Sequence, residues 1–489
     1  MSFDRAVKDL NGRLIAPYQH DGVKWMLERE CAKKNPGGFL CDEMGLGKTV
    51  QLISTILGNP KTRTLIIVPK SIVTQWVEEI SKFGPSLKVF VHDGKSRAKT
   101  PQDFDNHQIV ITPYSLLSHT IFQNVKWDRM ILDEGHEVRN KTSKRHKAVK
   151  HIRATIKWVV SGTPVYNNFS DFVNLCSIVG FTRIDVQQRS DSIKKDCMMR
   201  RTKADISEFN KRLELPPCEF ENIEIPMEGK ELEMYRAVFT DSKEYIMNVK
   251  KSAASINFFM MYILESLLRV RQVMVHPQIY LNSMHEKVKT AAGPGEDVGD
   301  PDIWDGGCKK LDVLMENIRT HPKEKSLVFC LFTAEMNMIE KALRAEDIQT
   351  YRIDGSVVDQ ARTNAIKMFK QTKEGAVFLI QIKTGGQGLN LQEATRVYIN
   401  APSWSPATEL QAIARSHRTG QTQKVFIKKL IYVVEDKELP SIECGMVQLQ
   451  NAKAIICSEV LNDERLREQV PISNAGITWK EIVRLFMRS

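Results

Sequence analysis

Short apolar runs, most of them continuous rather than alternating, recur along the first two hundred residues, at 38–41, 64–69, 108–113, 129–132 and 157–160. Continuous rather than alternating apolarity predicts strands buried on both faces, as in a parallel sheet. Helical periodicity lies between them, over 49–57 and 72–83 for example. Strand and helix in alternation predict an α/β, doubly wound lobe. From about 206 to 285 the pattern becomes long, helical and Met-rich, with no strand signal. Its richest apolar run, 258–268, is broken only by Glu265 and reads as a buried helix. A polar stretch carrying Gly and Pro, 290–301, reads as a linker. Strand runs return at 326–330, 350–353, 376–380, 396–399 and 425–433, predicting a second α/β lobe, and the tail after Glu435 is mainly helical. The expected division is a first lobe over 1–205, a helical insertion and linker over 206–305, a second lobe over 306–440 and a helical brace over 441–489.

Length agrees with that division, since 489 residues exceed one ordinary core. The start of the chain lacks the apolar core of a signal peptide, and no uncharged apolar run reaches the roughly 18 residues that a membrane span needs. The nine cysteines are scattered without a CxxC pair. That argues against zinc or a disulfide framework and fits a reducing intracellular compartment. A net charge of +11 is consistent with a polyanionic partner. The basic cluster at 144–147 reads either as a solvated helix face or as an import signal.

Chemistry enters at residues 42–49, which are Asp42, Glu43, Met44, Gly45, Leu46, Gly47, Lys48 and Thr49. They stand between a strand and a helix, where a glycine loop turns backbone N–H groups onto phosphate beside a helix N-terminus. Lys48 can reach the β- and γ-phosphates, and Thr49 can ligate Mg²⁺. The strict phosphate-loop pattern wants Gly where Asp42 stands. Some eighty residues on, the run 129–132 ends in Asp133 and Glu134. A carboxylate at a strand's C-terminal end lies where open α/β sheets bind ligands. Asp133 can hold Mg²⁺, directly or through water, and Glu134 can orient or deprotonate an attacking water.

These residues resemble helicase superfamily two, and within it the SWI/SNF family of DNA-dependent ATPases. The segment 17–25 with Gln19 looks like the family's adenine-recognising Q motif, and 41–49 like motif I. Residues 65–69 with Gln75 and Trp76 resemble motif Ia, 111–114 motif Ib, 133–136 motif II and 161–164 motif III. Residues 199–203 look like the close of the first lobe, and 268–277 like the helix leading to the second. In the second lobe 326–332 resembles motif IV, 383–391 with Gly388 motif V, and 411–421 motif VI. The phrase 131–140 is most similar to the branch containing the helicase-like transcription factor and post-replication repair ATPases. No cysteine stands between Cys218 and Cys308, so the RING insertion of those relatives does not fit there. A motor without chromatin-reading additions also resembles the baculovirus global transactivator proteins. Four positions depart from the family pattern. Gly135 replaces an Ala, Tyr166 replaces a frequent Gln, and Asn400 and Ser405 stand in a segment that usually reads Asp-Pro-x-Trp-Asn-Pro.

The resemblance implies two RecA-like lobes with a helical insertion between them. It implies ATP and Mg²⁺ as cofactors, double-stranded DNA as partner and a nuclear location, the host nucleus if the chain is viral. The implied function is an ATP-dependent translocase on duplex DNA that displaces or remodels bound protein, such as nucleosomes or transcription machinery. A strand-separating helicase and a transcription-regulating DNA-binding scaffold with weak ATPase activity are the alternatives. In this reading Lys48, Asp133 and Glu134 are catalytic, and Gln19, residues 42–49 and Gly388 bind the nucleotide. Thr49 and Asp133 hold the metal. Arg415 and Arg418 supply the cation for the γ-phosphate, on one face of a helix if that segment is helical, and Gln411 aligns them. His136 reads as a bridge to motif III rather than a metal ligand, and Trp404 reads equally as core or DNA-facing.

Overall fold

The computed structural model describes the chain except residues 1, 15, 95, 163–168, 208–215, 217, 253–255, 294–295, 358, 383–388, 419, 437, 462–485 and 487–489. It divides into two compact units, built mainly from residues before and after 216 respectively.

The first unit holds a seven-stranded sheet of β1 (Gly37–Leu40), β2 (Thr64–Val68), β3 (Val89–Val91), β4 (Ile109–Pro113), β5 (Lys126–Asp133), β6 (Arg153–Val160) and β7 (Met198–Met199), in the order β3-β4-β2-β5-β6-β1-β7. Every pairing in it is parallel. All five residues of β2 and of β4 are buried, as continuous apolar runs require when helices cover both faces. The helix Val73–Phe83 buries Val73, Trp76 and Ile80, a one-face stripe at helical spacing.

Register sets up the candidate site. Leu40 of β1 pairs with Val160 of β6, and Val160 pairs with Asp133 of β5. Three neighbouring strands therefore end level with one another. Their C-terminal ends release the 42–49 loop, Ser161 and the Asp133–Glu134 pair along one edge of the sheet, where parallel sheets bind ligands.

The second unit holds a six-stranded sheet of β8 (Cys218–Pro226), β9 (Ser326–Cys330), β10 (Thr350–Ile353), β11 (Val377–Gln381), β12 (Arg396–Ile399) and β13 (Val425–Val433), in the order β10-β11-β9-β12-β13-β8. This sheet is parallel as well. The chain is thus α/β with two doubly wound parallel-sheet units, and the helices Gly229–Ser252, Ile256–Val275 and Pro277–Ala292 come between β8 and β9.

Two expectations change here. The 206–285 region is not free of strands, because β8 pairs with β13 over nine residues, at the edge of the second sheet. An edge strand can face water, and most of β8 does. The 258–268 run is helical but not buried all round. Ile263 and Leu267 are buried, whereas Met261, Leu264 and Leu268 are about half exposed at 56%, 50% and 43%. Its apolar residues therefore cover more than the face that packs. Among the described residues, no helix is long and apolar enough to cross a membrane.

Candidate active site

The phosphate-type loop joins β1 to the helix Lys48–Gly58. Gly47 caps that helix in the left-handed region, with φ 73° and ψ 37°. A Cβ there would stand 2.5 Å from Gln19 Nε2, so glycine is needed for conformation and for space. Lys48 Nζ donates to the carbonyls of Asp42 at 2.7 Å and Glu43 at 3.2 Å. Its ammonium thus lies over the loop, anchored by carbonyls at the loop's entry.

The Q-motif helix Pro17–Glu30 packs against the same loop. Tyr18 Oη donates to the Leu46 carbonyl at 3.1 Å and Gln19 Nε2 to the same oxygen at 3.4 Å. Gln19 is buried. Asp42 is fully buried, and its carboxylate is held by Arg201 and by Gln51 Nε2, the latter at 3.2 Å. Glu43 accepts from the Lys203 backbone N–H at 2.8 Å.

Asp133 ends β5. Its Oδ2 accepts from the Trp76 indole at 2.7 Å, and its backbone carbonyl accepts from Tyr114 Oη at 2.8 Å. Burial, reinforced by the neighbouring Glu134, raises its pKa to about 6, while the Trp76 hydrogen bond and the charge of Lys48 pull the other way. That pull registers Lys48 and Asp133 in one electrostatic neighbourhood. Glu134 takes a left-handed conformation, φ 50° and ψ 48°, rare for a residue with a side chain, and its N–H donates to Asp133 Oδ1 at 2.9 Å. His136 is buried, and desolvation lowers its pKa to about 4, so it is neutral at pH 7. Its Nδ1 lies 3.1 Å from Ser161 Oγ and 3.4 Å from Glu134 Oε2. A neutral imidazole thus links the end of β5 to the end of β6. Thr163 and Pro164 of motif III lie outside the described residues, as does Tyr166.

The first unit therefore brings together Gln19, the 42–49 loop, Asp133 and Glu134. Trp76 and Tyr114, which the sequence offered only as parts of segments resembling motifs Ia and Ib, join them at Asp133. Arg201 and Lys203 join too. Arg201 pairs with Asp42 and Lys203 with Glu43; Asp42 in place of the expected Gly signalled the need for a cation but not which residue supplies it.

In the second unit the helix Pro406–Ile413 carries Gln411, which is buried. It ends before Arg415, so Arg415 and Arg418 do not share a helix face; Arg415 lies in the turn that follows, and Arg418, in the bend beyond it, falls with the first unit. Arg415 is 7% exposed and its Nη1 approaches the Leu389 carbonyl at 3.5 Å, while Arg418 is half-buried. Gly388 and the start of motif V lie outside the described residues. Trp404 is half-buried, with the Arg271 guanidinium 5.5 Å from its ring, and packs against the core.

Asn400, where the family pattern has Asp, donates to Glu335 Oε1 at 2.6 Å. Glu335 is buried, also accepts from the Leu331 and Phe332 N–H groups, and has its pKa raised by desolvation. Asn400→Asp places a second carboxylate against it, so one of the two must carry a proton in the folded state. The folded pKa then lies above the unfolded one, and stability is lost as pH rises past the unfolded carboxylate value. Urea unfolding at pH 8 is expected to show a loss of about 2–4 kcal/mol. The deficit should shrink as pH falls toward about 4. A deficit independent of pH would contradict the assigned contact.

The SNF2-related domain family matches residues 18–191 and 182–279, together more than half of the chain, and the helicase conserved C-terminal domain family matches 309–420. The ATP-dependent helicase fft1 of Schizosaccharomyces pombe is 27% identical over 94% of this chain and 54% of its own length. The putative ATP-dependent helicase/translocase YwqA of Bacillus subtilis is 30% identical over 85% of this chain and 46% of its own. The mouse helicase-like transcription factor is 27% identical over 81% of this chain and 50% of its own. The chain thus spans about half the length of these curated relatives.

Proposed function

The chain belongs to the SNF2-related family, and from that membership we propose that it is a DNA-dependent ATPase that moves along double-stranded DNA and remodels or displaces proteins bound there. The observation that carries the reading is the common sheet edge on which the Lys48 loop meets Asp133 and Glu134, with Ser161 between them. That edge has the parts phosphoryl transfer needs, because positioning and electrostatics do most of this catalysis.

In the proposal Lys48 binds the β- and γ-phosphates, and the loop N–H groups and Gln19 hold the nucleotide. Thr49 and Asp133 hold Mg²⁺. Their hydroxyl and carboxylate oxygens, beside the second carboxylate of Glu134, suit a hard, oxygen-seeking cation, which supplies charge neutralisation when bound. Glu134 orients the attacking water and accepts its proton. Arg415 and Arg418 provide positive charge for the transferring phosphoryl group, with Gln411 aligning them. His136, neutral and hydrogen-bonded at Ser161, passes the state of the Asp133–Glu134 turn to motif III. The +11 net charge is consistent with a polyanionic track; duplex DNA is proposed from the family membership, with backbone phosphates gripped without sequence reading. With that substrate the proposed location is the nucleus, the host nucleus if the chain is viral.

The test is ATP turnover by the full chain alone and with single-stranded DNA, RNA or duplex DNA, beside Lys48→Ala. The expected result is strong stimulation by duplex and at least about a hundredfold less turnover in the variant. Stimulation only by single strands or RNA would favour strand separation. No turnover under any condition would favour a scaffold. Displacement of streptavidin from biotinylated duplex, dependent on Lys48, tests protein removal.

A further inference from the structure

Motif I departs from the strict phosphate-loop pattern at its first residue, and the fold shows what the departure does. Asp42 stands where Gly would, at 0% exposure, so its carboxylate is entirely out of water. A buried carboxylate needs a fixed cation and filled lone pairs. Arg201, far along the chain, supplies them. Its Nε donates to Oδ1 at 2.9 Å and its Nη2 to Oδ2, the two-pronged fork that only a guanidinium makes. Gln51 closes the ring, donating from Nε2 to Asp42 Oδ2 at 3.2 Å and accepting from Arg201 Nη2 at Oε1 at 3.0 Å.

The same guanidinium reaches the Q-motif helix. Its Nη1 donates to the Tyr18 carbonyl, and its centre lies 5.2 Å from the Tyr18 ring. Room for this crossing comes from Gly22, where a Cβ would stand 2.0 Å from Gln51 Oε1 and 2.8 Å from Arg201 Nη2. The backbone follows suit. Past β7 the chain runs beside the loop, with the Cys41 N–H donating to the Met199 carbonyl at 2.7 Å and the Glu43 N–H to the Arg201 carbonyl at 2.8 Å. Arg200 Nη1 reaches the carbonyls of Cys41 and Gly162, each at 3.3 Å.

We propose that Arg201 is a positioning residue of the nucleotide site, which locks Asp42 and thereby sets the loop carbonyls that anchor Lys48. The segment Met199–Lys203 is then the back wall of the phosphate loop rather than simply the end of the first unit's fold. The chain of cause is short. Arg201 fixes the Asp42 carboxylate, the Asp42 carbonyl accepts from Lys48 Nζ at 2.7 Å, and Gln51 Nε2, held in the same ring, donates to the Leu46 carbonyl at 3.3 Å. Loss of Arg201 leaves a charged group in the loop's floor with no counter-ion, and the loop must rearrange to hydrate it. The inference rests on the nucleotide-binding reading of this site.

The test is calorimetric titration of the full chain with MgATP and with MgADP, with thermal unfolding followed alongside. Variants are Arg201→Ala, Arg201→Lys, Asp42→Gly and the double Arg201→Ala/Asp42→Gly. Arg201→Ala and Arg201→Lys should weaken both nucleotides by about tenfold or more. Lysine should not rescue, because a point charge cannot fork. The double variant should bind no more weakly than Arg201→Ala, since the carboxylate that needs the fork is gone. Folded Arg201 variants that bind both nucleotides as the wild type does, showing only lower thermal stability, would reduce Arg201 to a structural role and overturn the inference. Losses that multiply in the double variant would overturn it too. Should Arg201→Ala not fold, Arg201→Lys decides alone. Wild-type protein that binds neither nucleotide would sink the site reading itself, a result distinct from any variant effect.

Discussion

Glu134→Gln lowers saturating ATP turnover by about a hundredfold to ten-thousandfold while MgATP affinity stays at the wild-type level. The amide keeps the size of the side chain and its room beside His136, which stands 3.4 Å from Glu134 Oε2. That contact survives the change because burial keeps His136 neutral at pH 7, so no ion pair is lost. The left-handed backbone at Glu134 is set by the end of β5 and by its N–H bond to Asp133 Oδ1, neither of which the substitution touches. What disappears is the ability to accept a proton. Single-turnover hydrolysis with binding measured separately distinguishes this from loss of substrate. Turnover within about threefold of wild type would assign the base to another group, and weakened binding would place Glu134 among the nucleotide ligands.

The strands that carry the site were legible because parallel strands buried on both faces read as continuous apolar runs. β2 and β4 are buried at every position, and the sequence runs there match them. The same rule hides strands at the edges. β8 sets Glu219, Glu221 and Glu224 among Phe220, Ile223 and Ile225, and its register with β13 is a long-range fact. β3 and β7, of three and two residues, are too short to show any period. Within the site, loop and carboxylate residues announced themselves by spacing. Trp76 did not, because a tryptophan in an amphipathic stripe reads as core, and its ring is indeed buried. Only the partner of its indole N–H, 57 residues away, gives it a part at Asp133. Arg201 was hidden by distance in the same way. The shared helix face of Arg415 and Arg418 failed for a local reason. The helix ends at Ile413, with the Ala414 N–H bonded to the Leu410 carbonyl, and nothing in the 411–421 composition marks that stop.

Glu30→Gln is expected to destabilise the first unit by about 3–5 kcal/mol, although Glu30 is far along its helix from the loop. Both side chains of the Glu30–Arg129 pair are fully buried. Arg129 Nε donates to Glu30 Oε1 at 2.6 Å and Nη2 to Oε2 at 2.5 Å. The Trp158 indole donates to Oε1 at 3.0 Å and Asn59 Nδ2 to Oε2 at 2.6 Å. The partners come from four elements whose other ends build the candidate site. Glu30 closes the Q-motif helix, and Asn59 follows the helix that begins at Lys48. Arg129 lies in β5 ahead of Asp133, and Trp158 lies in β6 ahead of Ser161. Glutamine keeps the shape but strands the Arg129 charge in a place water cannot reach. A buried pair replaced whole by apolar residues is often near neutral, so Glu30→Leu with Arg129→Met should recover part of the loss. Recovery stays partial because the Trp158 indole, the Asn59 side chain and the Asn59 carbonyl, which accepts from Arg129 Nη2 at 2.8 Å, all lose partners. Denaturant unfolding of Glu30→Gln, the double variant and its single changes Glu30→Leu and Arg129→Met checks this. If the double variant is as unstable as the sum of its single changes, the charge pair is not the source of the loss. A coupled result would mean that one buried ion pair holds in register the elements that present the loop, the acidic pair and Ser161.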